Sequence, residues 1–179
     1  MAYRDEVLLD TPINYWEMNT STGTDSGSAN RTLTLNGGVT TGLTGKVGNA
    51  WGFDIGKYGS TNEQSIGSSY TIETWVKVPT VTQGTDRIIE WLNPLVCFYI
   101  AGDYPGSGAQ RGKVGCHISG SEVYSTVRVD DDTWHHVAYV VSGSSISIYI
   151  DGNLNTTGTI TNTGGMAAKS ITVGSSAPN

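Results

Sequence analysis

The side chains best equipped for chemistry in this chain are few: three histidines, two cysteines and a thin scatter of acids and aromatics. His135 and His136 stand in Trp134-His135-His136-Val137, directly after Asp130-Asp131-Asp132. That is where a metal centre or a base would first be sought. Consecutive residues of a strand point to opposite faces, however, so the pair cannot close on one ion. The expectation is structural, with one histidine orienting the preceding turn by hydrogen bonds. Glycoside hydrolysis needs two carboxylates flanking one bond. Glu73 is the only acid in the most regular strand pattern, and the residues sharing its face are Trp75 and Lys77. Neither a Ser/His/Asp nor a Cys/His constellation has a local signature. The chain therefore reads as a non-enzyme.

Aromatic faces are the better candidates for contact, because flat apolar rings suit the C–H surfaces of sugars. Trp51, Trp75, Trp91, Tyr104 and Tyr149 could all serve, although most tryptophans in such strands belong to a core. Tyr104 lies in the turn-rich segment Gly102-Asp103-Tyr104-Pro105-Gly106 and reads as the exposed one. The candidate ligand-binding residues are thus Tyr104, Trp75 and Glu73, with no metal ligands assigned. Cys97 and Cys116 belong to no CxxC or zinc spacing. A hairpin register that sets Ile100 opposite Lys113 also sets Cys97 opposite Cys116, a separation that a disulfide spans. Two buried, reduced thiols are the alternative, and the one a reducing compartment favours.

The elements that must position these residues are strands. Tyr70–Val78 alternates cleanly: Tyr70, Ile72, Thr74, Val76 and Val78 on one face, Thr71, Glu73, Trp75 and Lys77 on the other. Further strands are expected at Ile13–Met18, Leu33–Leu35, Ala50–Asp54, Arg87–Leu92, Leu95–Ile100, Lys113–Ile118, Val123–Val129, Trp134–Val141, Ser145–Ile150 and Ser170–Val173. Asp151-Gly152 is a hairpin turn, and Arg4–Leu9 a short helical turn. The chain is low in charge, at 15%, and carries 24 glycines, a balance suited to many short strands and tight turns. A net charge of −6 with no Lys/Arg cluster excludes a nucleic-acid groove and disfavours anionic membranes. No stretch is long and apolar enough to span a bilayer, and Met1–Glu6 does not resemble a signal peptide. These features predict one all-β domain over residues 1–179, a two-sheet antiparallel jelly-roll sandwich, made in the cytosol or cut from a longer chain.

Tyr3–Asp10 with Pro12–Trp16, Tyr70–Lys77, Asp132–Ala138, Ile148–Gly152 and Ile171–Gly174 together resemble laminin-G-like domains of the concanavalin A-like superfamily, in the family's order. The resemblance implies two stacked, curved sheets and binding of glycans or proteins. It also raises a rim Ca²⁺, for which Asp130, Asp131, Asp132 and Asp103 would supply oxygens. The Glu-x-Asp-x-x-Glu run of the superfamily's glycosidases is missing. Family members usually continue into one more strand beyond the point where this chain stops, at Asn179. That predicts either a fragment or an open sheet edge that another segment or subunit completes. An adhesive fold without an export signal fits a bacteriophage virion-surface protein, a capsid decoration or head/tail fibre component, made in the host cytoplasm. Its partners would be other virion proteins or copies of itself. The alternatives are an extracellular glycan-binding module, meeting cell-surface glycans, and more distantly a glycosidase.

Overall fold

The computed structural model describes residues 2–81, 84–91, 96–102, 108–161 and 166–174. It is built from antiparallel strands with one short α-helix and one 3-10 turn (Gly108–Gln110) among those residues, the β-sandwich expected. The chain divides into two compact units, Met1–Asn62 with Thr172–Asn179, and Glu63–Ile171.

The first unit opens with α1 (Tyr3–Leu9), the expected helical turn, which has no buried residue. Ile13–Met18 is not a strand: only Trp16 makes an isolated bridge, to Asp25. The reason is local. Asp25, 4% exposed, accepts the backbone N–H groups of Tyr15, Gly27 and Arg31 and the Asn14 amide at 2.7–2.8 Å. The chain wraps around one carboxylate instead of extending beside a neighbour, which side-chain bonding to the backbone permits. β1 (Thr34–Asn36) pairs with β4 (Tyr58–Ile66), and β2 (Thr40–Thr44) with β3 (Asn49–Gly52). β2 and β4 are polar strands with no alternation and were not anticipated.

The second unit holds β5 (Ser69–Lys77), β6 (Thr85–Trp91), β7 (Val96–Ala101), β8 (Lys113–Ile118), β9 (Ser121–Arg128), β10 (Trp134–Ser142), β11 (Ser145–Ile150), β12 (Asn153–Thr159) and most of β13 (Met166–Gly174). β6-β7-β8-β9 are successive neighbours in the larger sheet, and the smaller sheet runs β12-β11-β10-β5. Asp151 (φ 51°) and Gly152 (φ 79°) make the β11–β12 hairpin turn, both left-handed as a type I′ turn requires. β12, all polar but for Leu154, follows from that turn.

The core lies between the two sheets. Phe98 on β7 packs on Tyr139 of β10 (centroids 4.5 Å apart) and on Tyr70 of β5 (6.5 Å). Val114, Cys116, Val137, Tyr139, Ile146 and Ile148 are fully buried around them. The Tyr139 hydroxyl donates to the Gly115 carbonyl, so its burial leaves no orphan.

The cysteine register is displaced by one residue from the expected one: Phe98 lies opposite Cys116, and Cys97 opposite His117. One residue of slip turns a side chain to the other face. Cys116 therefore points into the core, and Cys97 outward with Tyr99 and Ala101. Both are free and buried. Burial pushes the Cys97 thiol up to about 12 and the Cys116 thiol to about 11.

Candidate functional site

The register of the smaller sheet places side chains on its outer face row by row. Trp75 of β5 lies opposite His136 of β10; Glu73 lies opposite Ala138, which lies opposite Tyr149 of β11; Lys77 lies opposite Trp134. Leu154 of β12, 57% exposed, continues the Tyr149 row. Trp75, Trp134, His136 and Tyr149 are all half-buried, so each keeps part of its ring in solvent. The Trp75 and His136 rings stand 5.1 Å apart. His136 Nε2 is 3.7 Å from Glu73 Oε2, and that carboxylate is 47% exposed. Ala138 makes a low floor between Glu73 and Tyr149. The result is an aromatic platform, with the Trp75 and His136 rings tilted 57° to one another, beside one accessible carboxylate, suited to contacting a sugar ring while accepting its hydroxyl protons.

Two of the three residues singled out in the sequence, Glu73 and Trp75, thus lie together on this face. Tyr104 and Asp103 lie outside the described residues. Trp51 and Trp91 are 7% and 3% exposed, too buried to stack on a ligand. Trp134 and His136 were missed as platform members. Their alternation within β10 carried the signal, but only its register against β5 puts them beside Trp75.

The two histidines do part to opposite faces. His135 Nδ1 bonds Asp151 Oδ2 at 2.8 Å, and its Nε2 meets Asp131 at 3.2 Å and Thr133 at 3.1 Å, tying down the turn as expected. Burial pulls its pKa down, but the two carboxylates outweigh that and raise it overall. The Asp130–Asp132 turn fits Ca²⁺ poorly. Asp130 spends both oxygens on Arg128 (2.8 and 2.7 Å), and one of them also takes the Val81 N–H. Asp131 holds Thr133 and His135, and Asp132 lies 3.5 Å from Lys77. No metal-sized cluster of His, Cys, Asp or Glu exists among the described residues.

The outer face of the larger sheet carries other carboxylates. Glu90, Cys97, His117 and Glu122 form one cross-strand row. Three strand spacings separate Glu90 from Glu122, roughly 14 Å, beyond the 5–9.5 Å of a hydrolytic pair. Glu90 is 2% exposed and paired with Arg87. The Tyr99 hydroxyl donates to Tyr124 (2.9 Å), which donates to Glu122 (3.1 Å). This network satisfies itself.

No curated protein resembles the chain in sequence. Solved structures do resemble it in fold. Domain 4 of the extracellular arabinanase AbnA from Geobacillus stearothermophilus, solved with arabinotriose, matches with a TM-score of 0.70 at 19% identity, covering 93% of this chain and 84% of that one. The botulinum neurotoxin serotype D binding domain matches with a TM-score of 0.69 at 12% identity, over 95% of this chain and 44% of that one. Botulinum neurotoxin type C, whose cell entry depends on interaction with two ganglioside molecules, gives 0.67 at 14% identity, over 98% of this chain and 45% of that one. The chain thus spans under half of either toxin structure. The sequence pattern of one family matches residues 53–179, a stretch that includes β5, β10 and the hairpin that build the platform; the chain belongs to the concanavalin A-like lectin/glucanases superfamily.

Proposed function

We propose that this chain is a non-catalytic glycan-binding module that holds its ligand on the outer face of the smaller sheet. The observation that carries the reading is the placement of Trp75, His136, Trp134 and Tyr149 on one sheet face with the exposed Glu73 carboxylate, which lies 3.7 Å from His136. The rings would take the apolar face of a saccharide, and Glu73 with His136 its hydroxyls. Of the structural neighbours, one was solved with arabinotriose and another enters cells through gangliosides, which supports a saccharide ligand. Glu73 stands without a second carboxylate among the described residues of its face, and this supports binding over hydrolysis.

The test is titration of the intact chain with arabinotriose and a panel of neutral and sialylated oligosaccharides, followed by indole fluorescence. A saturable response is expected, weakened about tenfold or more by Trp75→Ala. Silence across the panel to millimolar concentration overturns the reading. Turnover of a reporter glycoside that disappears in Glu73→Gln overturns its non-catalytic part. The neighbours named above do not bear on the virion-surface setting expected from the sequence. Immunogold labelling of producing cultures tests it: label on particles restores it, and label on envelopes or free protein leaves the glycan-binding module.

A further inference from the structure

Ala138 on β10 is the low point of the platform, and its register fixes what surrounds it. Glu73 of β5 lies on one side and Tyr149 of β11 on the other, in one cross-strand row. Two strand spacings separate Glu73 from Tyr149, about 10 Å, which leaves room for one sugar ring over the Ala138 methyl. A ring seated there meets Tyr149 at one edge and the Glu73 carboxylate at the other. That carboxylate is 47% exposed, and His136 Nε2 lies 3.7 Å from it, beyond hydrogen-bond reach. Its oxygens therefore keep their accepting capacity for a ligand.

Charge around the seat runs one way. The next two rows along the sheet, from Thr71 to Thr157 and from Ser69 to Thr159, hold only hydroxyl side chains and Val140. Lys77 is the one Lys or Arg among the strand residues of this face. It stands four residues along β5 from Glu73, a backbone distance of about 13 Å. It already faces a carboxylate, since Asp132 lies 3.5 Å away. At the hairpin turn, Asp151 takes the His136 N–H at 2.9 Å and is itself 47% exposed, a further negative charge at that end of the sheet. An acidic sugar over Ala138 would bring a second carboxylate against Glu73, and two carboxylates in one site cannot both stay ionised without cost. The net charge of −6 opposes the approach of an anion as well.

We infer that Glu73 is a specificity-determining residue, one that restricts the seat over Ala138 to neutral saccharides and turns carboxylated ones away. The inference rests on the glycan-binding reading above and names its ligand class. Glu73 accepts from the hydroxyls of a neutral sugar, and the same charge repels a uronic or sialic carboxylate.

The test is titration of the intact chain at about pH 8, above the ordinary histidine range. The probes are cellotriose and galactotriose, each beside the same trisaccharide with its terminal hydroxymethyl group oxidised to a carboxylate. The neutral forms are expected to bind about tenfold or more tightly than the acidic ones. That preference should shrink in about 1 M salt, because screening acts on charge alone. Glu73→Gln keeps an acceptor of the same shape and removes the charge, so it should cut the preference about tenfold. The readout is a ratio of two affinities, which a general loss of binding leaves unmoved. Equal binding of the two forms, a preference that survives in Glu73→Gln, or acidic binding that Lys77→Gln abolishes overturns the inference and leaves the glycan reading standing. Silence toward all four trisaccharides and arabinotriose overturns the glycan reading itself, and the inference with it.

Discussion

Asp130 is the residue whose removal should be felt most widely. It stands just past β9 with its side chain 1% exposed. It accepts Arg128 through both oxygens at 2.8 and 2.7 Å and the Val81 N–H at 3.0 Å. Val81 is itself 5% exposed, and its carbonyl takes Arg111. Asp130→Ala therefore strands a buried N–H, at about 1–3 kcal/mol, and loses a bidentate charged pair. Arg128 is 51% exposed and regains water, so its share is nearer 1 kcal/mol. The expected cost is about 3 kcal/mol, a fall in Tm of roughly 6–12 °C for a chain of this size. The measurement is urea and thermal unfolding of wild type and variant across pH. The Arg128 hydrogen bonds hold the Asp130 pKa below its usual 3.8, outweighing burial. A carboxylate lowered in the native state stabilises above its unfolded value and loses that stabilisation as pH falls through the native one. The gap between the two unfolding curves should thus narrow as pH drops below 3.8, down to the share of the Val81 N–H, which a protonated carboxyl still accepts. A cost under about 0.5 kcal/mol at neutral pH, or a difference that does not shrink in acid, would refute the argument.

Three other outcomes follow from the same geometry. His135, raised above its ordinary 6.5, should stabilise the protein below that value and cease to do so as pH climbs past its native pKa; His135→Gln should flatten that slope in a pH series of melting curves. Cys97 and Cys116, buried and on opposite faces, should resist a thiol reagent until denaturant is added and then titrate as two free thiols; fast native labelling would contradict the burial. Gly115→Ala would put a methyl 2.9 Å from both the Tyr99 and Tyr124 rings. It should cost about 1–3 kcal/mol in chemical unfolding, and a neutral result would mean the rings are not held where they lie.

Period-two alternation reports which residues share a face within one strand, and for this chain it reported well. Tyr70–Val78 turned Glu73 and Trp75 outward together, and Ser145–Ile150 buried its three isoleucines, as their spacing required. It also parted His135 from His136, because adjacent side chains of a strand cannot agree. Alternation says nothing about the offset between strands. One residue of slip in the β7–β8 hairpin sent Cys97 and Cys116 to opposite faces, a choice made by how Phe98 and Cys116 fill the core. Polar strands such as β2, β4 and β12 have no apolar period to read, so their existence depends on the neighbours they pair with. Ile13–Met18 had the apolar and aromatic composition of a strand, but the buried Asp25 carboxylate claimed its backbone. The platform shows the same division. Its residue types stand in the sequence, while the adjacency of Trp75, His136, Glu73 and Tyr149 is a property of register, which only packing across the sheet decides.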